Sequence, residues 1–143
     1  MYTMDTMDTI QPREQYIILY GSSHLALLSL ACAFYKGEYV ISAGIGSIFL
    51  TSINYWRKPD HSWRRTLDMT VSLGCITYQH ILAYRAQYAI QYYIVYFLAL
   101  ISYLIGTEYH KKGELWKSTY LHLMFHILCN TGNIVLYSGY INP

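Results

Sequence analysis

The chain has 143 residues, of which 54% are hydrophobic and only 13% are charged, and its formal net charge is +2. This length accommodates a single domain. Long stretches without charge argue against a water-soluble domain, and the high apolar content argues against an intrinsically disordered chain.

Five apolar stretches predict an all-α, polytopic membrane helix bundle. Each is close to the roughly 20 residues that a helix needs to cross a bilayer, and together they contain one formal charge, Asp68. The 17 Tyr residues lower the mean hydropathy to +0.18, but Tyr is favoured at membrane interfaces. We therefore expect an integral membrane protein with an N-terminal inner tail over 1–15 and one five-helix domain over 16–143. The expected spans are 16–35, 39–56, 67–84, 88–105 and 118–137.

The distribution of Lys and Arg predicts the orientation of the bundle. With the N-terminus inside, eight of the ten basic residues fall in inner segments, and only Lys36 and Arg85 fall in outer turns. Short cytoplasmic loops carry such an excess of Lys and Arg, so the C-terminus is expected outside. The inner residues are Arg13, Arg57, Lys58, Arg64, Arg65, Lys111, Lys112 and Lys117.

The loop between the second and third stretches is rich in aromatic and basic residues. Pro59 disfavours helix at the residue before it, and Ser62 is a suitable N-cap for the third helix. The loop is either a topology anchor or a site for anionic lipid headgroups, which Arg57, Lys58, Arg64 and Arg65 would contact. Membrane lipids are thus the expected partners. Small residues four apart in the second stretch, Ser42 and Gly46, would suit packing within the chain, a homo-oligomer or another membrane subunit, and no nucleic-acid partner is expected.

Ionisable residues inside the apolar stretches are the candidate functional groups, since such residues are costly in a membrane. His122 and His126 lie four apart and therefore share a helix face, where both imidazoles can reach one ion. At about 1.5 Å of rise per residue, Asp68, Ser52 and His24 fall at similar depth near the inner face. This pattern predicts a zinc site with His122, His126 and His24 as ligands and with Asp68 and Ser52 as catalytic groups.

Two other interpretations use the same residues. Membrane bundles employ polar side chains to join helices, so Asp68, His122, His126 and Asn130 would then be a packing network in a structural or assembly protein. Alternatively, His24 and one member of the His pair could bind a b-type haem from two helices. His80, near the outer end of the third stretch, is expected to be structural, with Gln91, Asn130 or Asn133 as its partner.

Three segments resemble the membrane metallohydrolases that include alkaline ceramidases and adiponectin-type receptors. They are the run from Gly44 to Ser52, the pair Leu67-Asp68, and the motif Leu121-His-Leu-Met-Phe-His126. The resemblance implies a zinc-bound water that hydrolyses a lipid amide. The family has seven spans, whereas five are predicted here.

The resemblance to these hydrolases lacks one ligand position. In the family, a His follows the serine by four residues; here Trp56 stands four residues after Ser52, and Thr51 four residues after Ser47. The loop followed by Leu67-Asp68 also resembles uncharacterised small membrane proteins of large DNA viruses and protists.

Overall fold

The structure is a computed structural model that describes residues 9–142, and over that range the fold is all-helical. The predicted helical class is therefore confirmed, and each of the five apolar stretches coincides with a helical unit. The first eight residues of the predicted inner tail, and Pro143, lie outside the described residues. The helices are α1 Arg13–Ser23, α2 Ala26–Tyr35, α3 Tyr39–Trp56, α4 Trp63–Ala83, α5 Ala89–Lys111 and α6 Leu115–Ser138.

α1 and α2 form one helical unit that is interrupted by a tighter turn at His24 and Leu25, whereas the sequence predicted a continuous helix. The hydroxyls of Ser22 and Ser23 both donate to the carbonyl oxygen of Leu19, at 2.9 Å each. Side-chain bonds of this kind compete with the helical ladder and bend it. The backbone continues through this tighter turn, in which the His24 N–H donates to the Gly21 carbonyl at 3.1 Å. The unit also begins at Arg13, inside the predicted tail.

Within residues 9–142, two helical units are long and apolar enough to cross a membrane by length and composition. They are Arg13–Tyr35 and Ala89–Lys111, each with a mean hydropathy of 1.7. Large apolar side chains also cover the outside of the bundle: Leu73, Ile90 and Phe97 are 68%, 73% and 63% exposed. Water-soluble monomers rarely expose apolar surface on this scale, so the surface fits a lipid environment.

The turns at the two ends of the bundle follow from local sequence. Gly37 and Gly113 adopt positive φ of 79° and 76° after α2 and α5, which a residue without a Cβ does at low cost. Between α3 and α4, Ser62 caps α4 by accepting from the Arg64 N–H at 3.3 Å, as predicted. We call the end with the α3–α4 and α5–α6 turns the inner end, and the opposite end the outer end.

Small residues of α3 pack against other helices of the same chain. A Cβ at Gly44 would lie 3.3 Å from the Cys75 sulfur of α4, and one at Gly46 would lie 3.2 Å from Leu30 of α2. Close approach of helices at small residues is common in membrane bundles. Gly44 and Gly46 thus lie on opposite sides of α3, and each faces a helix of the same chain.

The helix arrangement leaves a gap between α4 and α5. α6 packs against α5, α1 and α2, and α3 packs against α1, α2 and α4, whereas α4 and α5 make few contacts. The hydrogen bonds between α4 and α5 all lie near the turn that joins them, linking Gln79 and His80 to Tyr92, Tyr93 and Tyr96. Below these bonds the two helices separate toward the inner end.

Candidate functional site

A cavity of about 780 Å³ occupies the space that the gap between α4 and α5 leaves inside the bundle. Apolar side chains such as Leu73, Ile76 and Phe125 form much of its wall. Its polar lining residues include Gln11, Ser22, Ser52, Arg65, Asp68, Gln79, His110, His122, His126, Asn130 and Asn133. The predicted catalytic groups and both members of the His pair therefore border one space.

Asp68 and Ser52 are in direct contact. The Ser52 hydroxyl donates to Asp68 Oδ1 at 2.7 Å, and the Thr51 hydroxyl donates to the same oxygen at 3.0 Å. The contact arises because Ser52 stands one turn before the end of α3 and Asp68 in the second turn of α4, so the short loop brings both to one depth. The contact of Thr51 with Asp68 could not be predicted, because a serine or threonine near a helix end does not by itself indicate a functional role. The resemblance named Thr51 only as an alternative position for a ligand.

His122 and His126 lie on one face of α6, as their spacing predicts, with ring centroids 4.9 Å apart. The Ser22 hydroxyl lies 2.6 Å from His126 Nδ1 and 2.9 Å from the Leu19 carbonyl oxygen. A hydroxyl has one hydrogen, so when Ser22 donates to the carbonyl, the imidazole is the donor to Ser22. Ser22 could not be identified from the sequence, because its hydroxyl gains its role only from the packing of α1 against α6.

Trp56 occupies the space beside His122. Its indole is 7% exposed, and its ring centroid lies 5.1 Å from that of His122 in an edge-to-face arrangement. Tyr103 of α5 contacts the same imidazole, with centroids 5.9 Å apart. The position at which the resemblance would require a His thus holds an aromatic side chain in contact with the His pair.

His24 faces away from the His pair. Its Nδ1 is 3.0 Å from the Tyr20 carbonyl oxygen of its own helix, and its ring contacts Tyr20 and Phe49, with centroids 5.2 and 5.4 Å apart. The side chain is exposed. Two residues correspond to about 200° around a helix, so when Ser22 faces α6, His24 must point to the other side. The predicted third ligand is therefore not brought to the site.

The donor set does not complete a metal centre. Within residues 9–142, no group of three or more His, Cys, Asp or Glu side chains is arranged to hold a metal ion. Of the expected zinc ligands His24, His122 and His126, the structure brings His122 and His126 together and leaves His24 apart, and zinc binding stays a prediction. The haem alternative also needs His24 beside His122 or His126. The His24 side chain instead faces away from both, toward Tyr20 and Phe49.

Asn130 extends the polar face of α6, as expected, but it bonds to a neighbouring helix. It accepts from the Ser29 hydroxyl at 2.6 Å and donates to the His126 carbonyl at 2.8 Å. At the outer end, the Tyr96 hydroxyl lies 2.7 Å from Asn133 Oδ1 and 3.2 Å from Gln79 Oε1, and its one hydrogen is directed at the nearer oxygen, that of Asn133. These contacts join α2, α4, α5 and α6, so part of the polar lining serves helix packing.

His80 belongs to the outer end, but its neighbours differ from those expected. Its Nδ1 lies 2.8 Å from the Ile76 carbonyl oxygen and 3.1 Å from the Tyr92 hydroxyl, and Tyr93 donates to its carbonyl at 2.7 Å. Gln91, Asn130 and Asn133 are not its partners. The tyrosines at the start of α5 fill this role because they face α4 at the point where the two helices touch.

The four basic residues of the α3–α4 loop have different environments. Arg64 is used internally: it donates to Asp60 at 2.5 Å, to the Lys58 carbonyl at 2.9 Å and to the Asn54 carbonyl at 3.4 Å. Hydrogen bonds from Ser62 and then from Arg64 lower the pKa of Asp60 to about 2. Arg57 and Lys58 are exposed, and Arg65 borders the cavity.

Comparison of the chain with protein-family models, with curated proteins and with solved structures finds no match.

Proposed function

We propose that all five helical units span a membrane, with the N-terminus and the inner end on the cytoplasmic side. The support is the length of each unit, from 18 to 24 residues, together with the apolar outer surface and the concentration of Lys and Arg at the inner end. Seven of the eight basic residues that the sequence places inside lie in, or at the edges of, the α3–α4 and α5–α6 turns, and the eighth, Arg13, begins α1.

Within this bundle, we propose that the cavity binds a membrane lipid, with the lipid's polar part beside Ser52, Asp68 and the His pair. One observation carries the proposal: the cavity joins a polar inner part to an apolar wall at the α4–α5 gap. An apolar groove of about 860 Å³ lies between the same two helices and shares Leu73, Ile76 and Phe125 with the cavity. Ligand sites are typically concave, mostly apolar and equipped with a few polar groups. A lipid can thus enter sideways from the bilayer.

A pair of variants on α4 tests lipid binding. Ser72 lines the cavity, so Ser72→Phe places a ring in the lipid's space; Thr77 is exposed and lies outside the lining, so Thr77→Phe is the matched control. Lipid retained by the purified protein is measured by mass spectrometry. We expect Ser72→Phe to lose bound lipid and Thr77→Phe to keep it. Equal retention by both variants and the native chain would show that the lipid lies elsewhere.

Hydrolysis of the bound lipid is a second candidate, favoured by the Ser52–Asp68 hydrogen bond and the His pair on the same cavity. Catalytic zinc sites usually have three protein ligands and a water, and the residues present do not complete that set. We therefore rank hydrolysis below binding. The test is zinc content and fatty-acid release from a lipid amide, compared between the native chain and the double variant His122→Ala/His126→Ala. Product release that is lost in the double variant would raise hydrolysis to the first place.

A purely structural role is the third candidate, favoured by the hydrogen bonds that Ser29, Asn130 and Tyr96 make between helices. These bonds lie toward the outer end, away from Asp68. Helix packing therefore accounts for the polar groups near the outer end. It does not account for the cavity beside Ser52, Asp68 and the His pair. If Asp68→Leu lowers the stability of the protein but the folded fraction keeps the same amount of bound lipid, the result would favour this role.

A further inference from the structure

One basic side chain differs from all the others in its position. Arg65 is the single Lys or Arg among the residues that line the cavity. The ion pairs formed within residues 9–142 use Arg64, Lys111 and Lys117, so Arg65 has no acidic ion-pair partner there. The sequence places Arg57, Lys58, Arg64 and Arg65 in one group; Arg65 is exposed like Arg57 and Lys58, but of the four it alone lines the cavity.

Arg65 stands at the inner mouth of the cavity. It lies in the first turn of α4, and His110, from the last turn of α5, borders the same end. Gln11 also lines the cavity, is only 6% exposed, and its side-chain oxygen has no hydrogen-bond partner within residues 9–142. The mouth therefore offers a guanidinium, an imidazole and a free amide oxygen, while the wall beyond it is largely apolar.

We propose that the cavity's occupant is a lipid with a phosphate-bearing anionic headgroup, held at the mouth by Arg65 with support from His110. This inference rests on the proposed lipid binding and names the headgroup. Guanidinium is the side chain best suited to paired hydrogen bonds with phosphate oxygens. The Arg65 guanidinium contacts the Tyr55 hydroxyl but has no acidic partner within residues 9–142, so its remaining donors are available for phosphate oxygens.

Asp68 sets the depth of the headgroup. Its carboxylate lies one turn of α4 beyond Arg65, and both hydroxyl donors near it, Ser52 and Thr51, bond to its Oδ1. A phosphate carried past Arg65 would meet this carboxylate. The anionic group therefore stays at the mouth, and neutral parts of the lipid, such as ester or hydroxyl groups, reach the His pair.

The test is a competition between two lipids with the same acyl chains and different headgroups, one anionic and one zwitterionic. The purified full-length chain in neutral detergent receives equal amounts of dioleoyl phosphatidic acid and dioleoyl phosphatidylcholine, and native mass spectrometry measures the ratio bound. We expect the native chain to prefer phosphatidic acid by about tenfold, the effect of 1.4 kcal/mol. Arg65→Gln should bring the ratio close to one, and the control Arg57→Gln, which removes an exposed charge outside the cavity, should keep the preference.

Each other outcome overturns the inference in a distinguishable way. Equal loss of preference in both variants would mean that general surface charge selects the lipid. An unchanged ratio in Arg65→Gln would remove Arg65 from the site. Displacement of phosphatidic acid by inorganic phosphate alone would show that the anion, not the lipid, is the ligand. If the native chain binds both lipids equally and Ser72→Phe abolishes both, lipid binding stands and only the headgroup assignment fails; if it retains neither lipid, lipid binding itself fails.

Discussion

Trp56 contacts the His pair and fills the space beside it, and so affects which ligands His122 and His126 can bind. Its indole lies against His122 at the position where the metallohydrolase resemblance requires a ligand. We expect Trp56→His to place a third imidazole beside His122 and His126 and to tighten zinc binding at least about tenfold over the native chain, an effect of 1.4 kcal/mol or more. Metal content after dialysis and a zinc titration of the folded protein measure the change.

The matched control for this gain is Trp56→Phe, which removes the indole without adding a ligand and should bind no more zinc than the native chain. If both variants gained zinc equally, the metal would be responding to a loosened site rather than to the new imidazole. A Trp56→His protein that is folded but gains no zinc would show that the backbone of α3 holds residue 56 at the wrong angle.

Asp60 gives the α3–α4 loop a pH dependence with a definite sign. Hydrogen bonds from Ser62 and Arg64 lower its pKa to about 2, below the value of about 3.9 expected in the unfolded chain. The carboxylate therefore contributes stability above pH 4, and this contribution is lost as the pH falls from about 4 to about 2. The native chain should melt above Asp60→Asn at pH 7, and the two melting temperatures should converge near pH 2. A gap that persists at pH 2 would contradict the assignment.

The α5–α6 pair shows how one residue sets the spacing of two helices. A Cβ at Gly132 would lie 2.7 Å from two ring atoms of Tyr96. Tyr96 cannot easily move, because it is 7% exposed and its hydroxyl is bonded to Asn133 and lies 3.2 Å from Gln79 Oε1. We expect Gly132→Ala to lower the free energy of unfolding by about 1 to 3 kcal/mol, a typical cost of overpacking. Thermal or denaturant unfolding in detergent measures it.

Gly74 supplies the control for this prediction within α4. A Cβ there meets nothing within 4 Å, so Gly74→Ala should be neutral or add up to about 1 kcal/mol through the better helix propensity of alanine. If both substitutions destabilise to the same extent, the cost at Gly132 does not come from Tyr96.

Helix positions were predictable from the sequence, whereas the faces that helices present to one another were not. The apolar stretches between charged residues predicted all five helical units. The four-residue spacing of His122 and His126 predicted that the two side chains share a helix face. Periodicity places His24 on the side of its helix opposite Ser22, but the sequence did not show that Ser22 is the residue that faces His126. The gap between α4 and α5 depends on how α6 and α3 pack, so a cavity could not be read from either helix alone.

At the scale of the whole molecule, the outer surface and the interior require opposite surroundings. The outside of α5 exposes Ile94, Phe97 and Leu104 at 56%, 63% and 54%, while polar groups from α3, α4 and α6 face the cavity. A bundle in water would prefer the reverse arrangement, because burying apolar surface stabilises a fold. The distribution is reasonable when a bilayer surrounds all five units and the cavity holds a ligand with a polar end.

Five spans and two spans place the same loops on different sides, and this allows a decisive labelling experiment. With the N-terminus inside, five spans put residue 58 inside and residue 142 outside, whereas spans at Arg13–Tyr35 and Ala89–Lys111 alone put residue 58 outside and residue 142 inside. Single cysteines, Lys58→Cys and Asn142→Cys, are introduced at these exposed positions after Cys32, Cys75 and Cys129 are replaced by Ala. We expect a membrane-impermeant thiol reagent to label residue 142 in intact cells and residue 58 only after permeabilisation, because Lys and Arg keep the α3–α4 loop in the cytoplasm. The reverse pattern would reject the arrangement of five spans with the N-terminus inside.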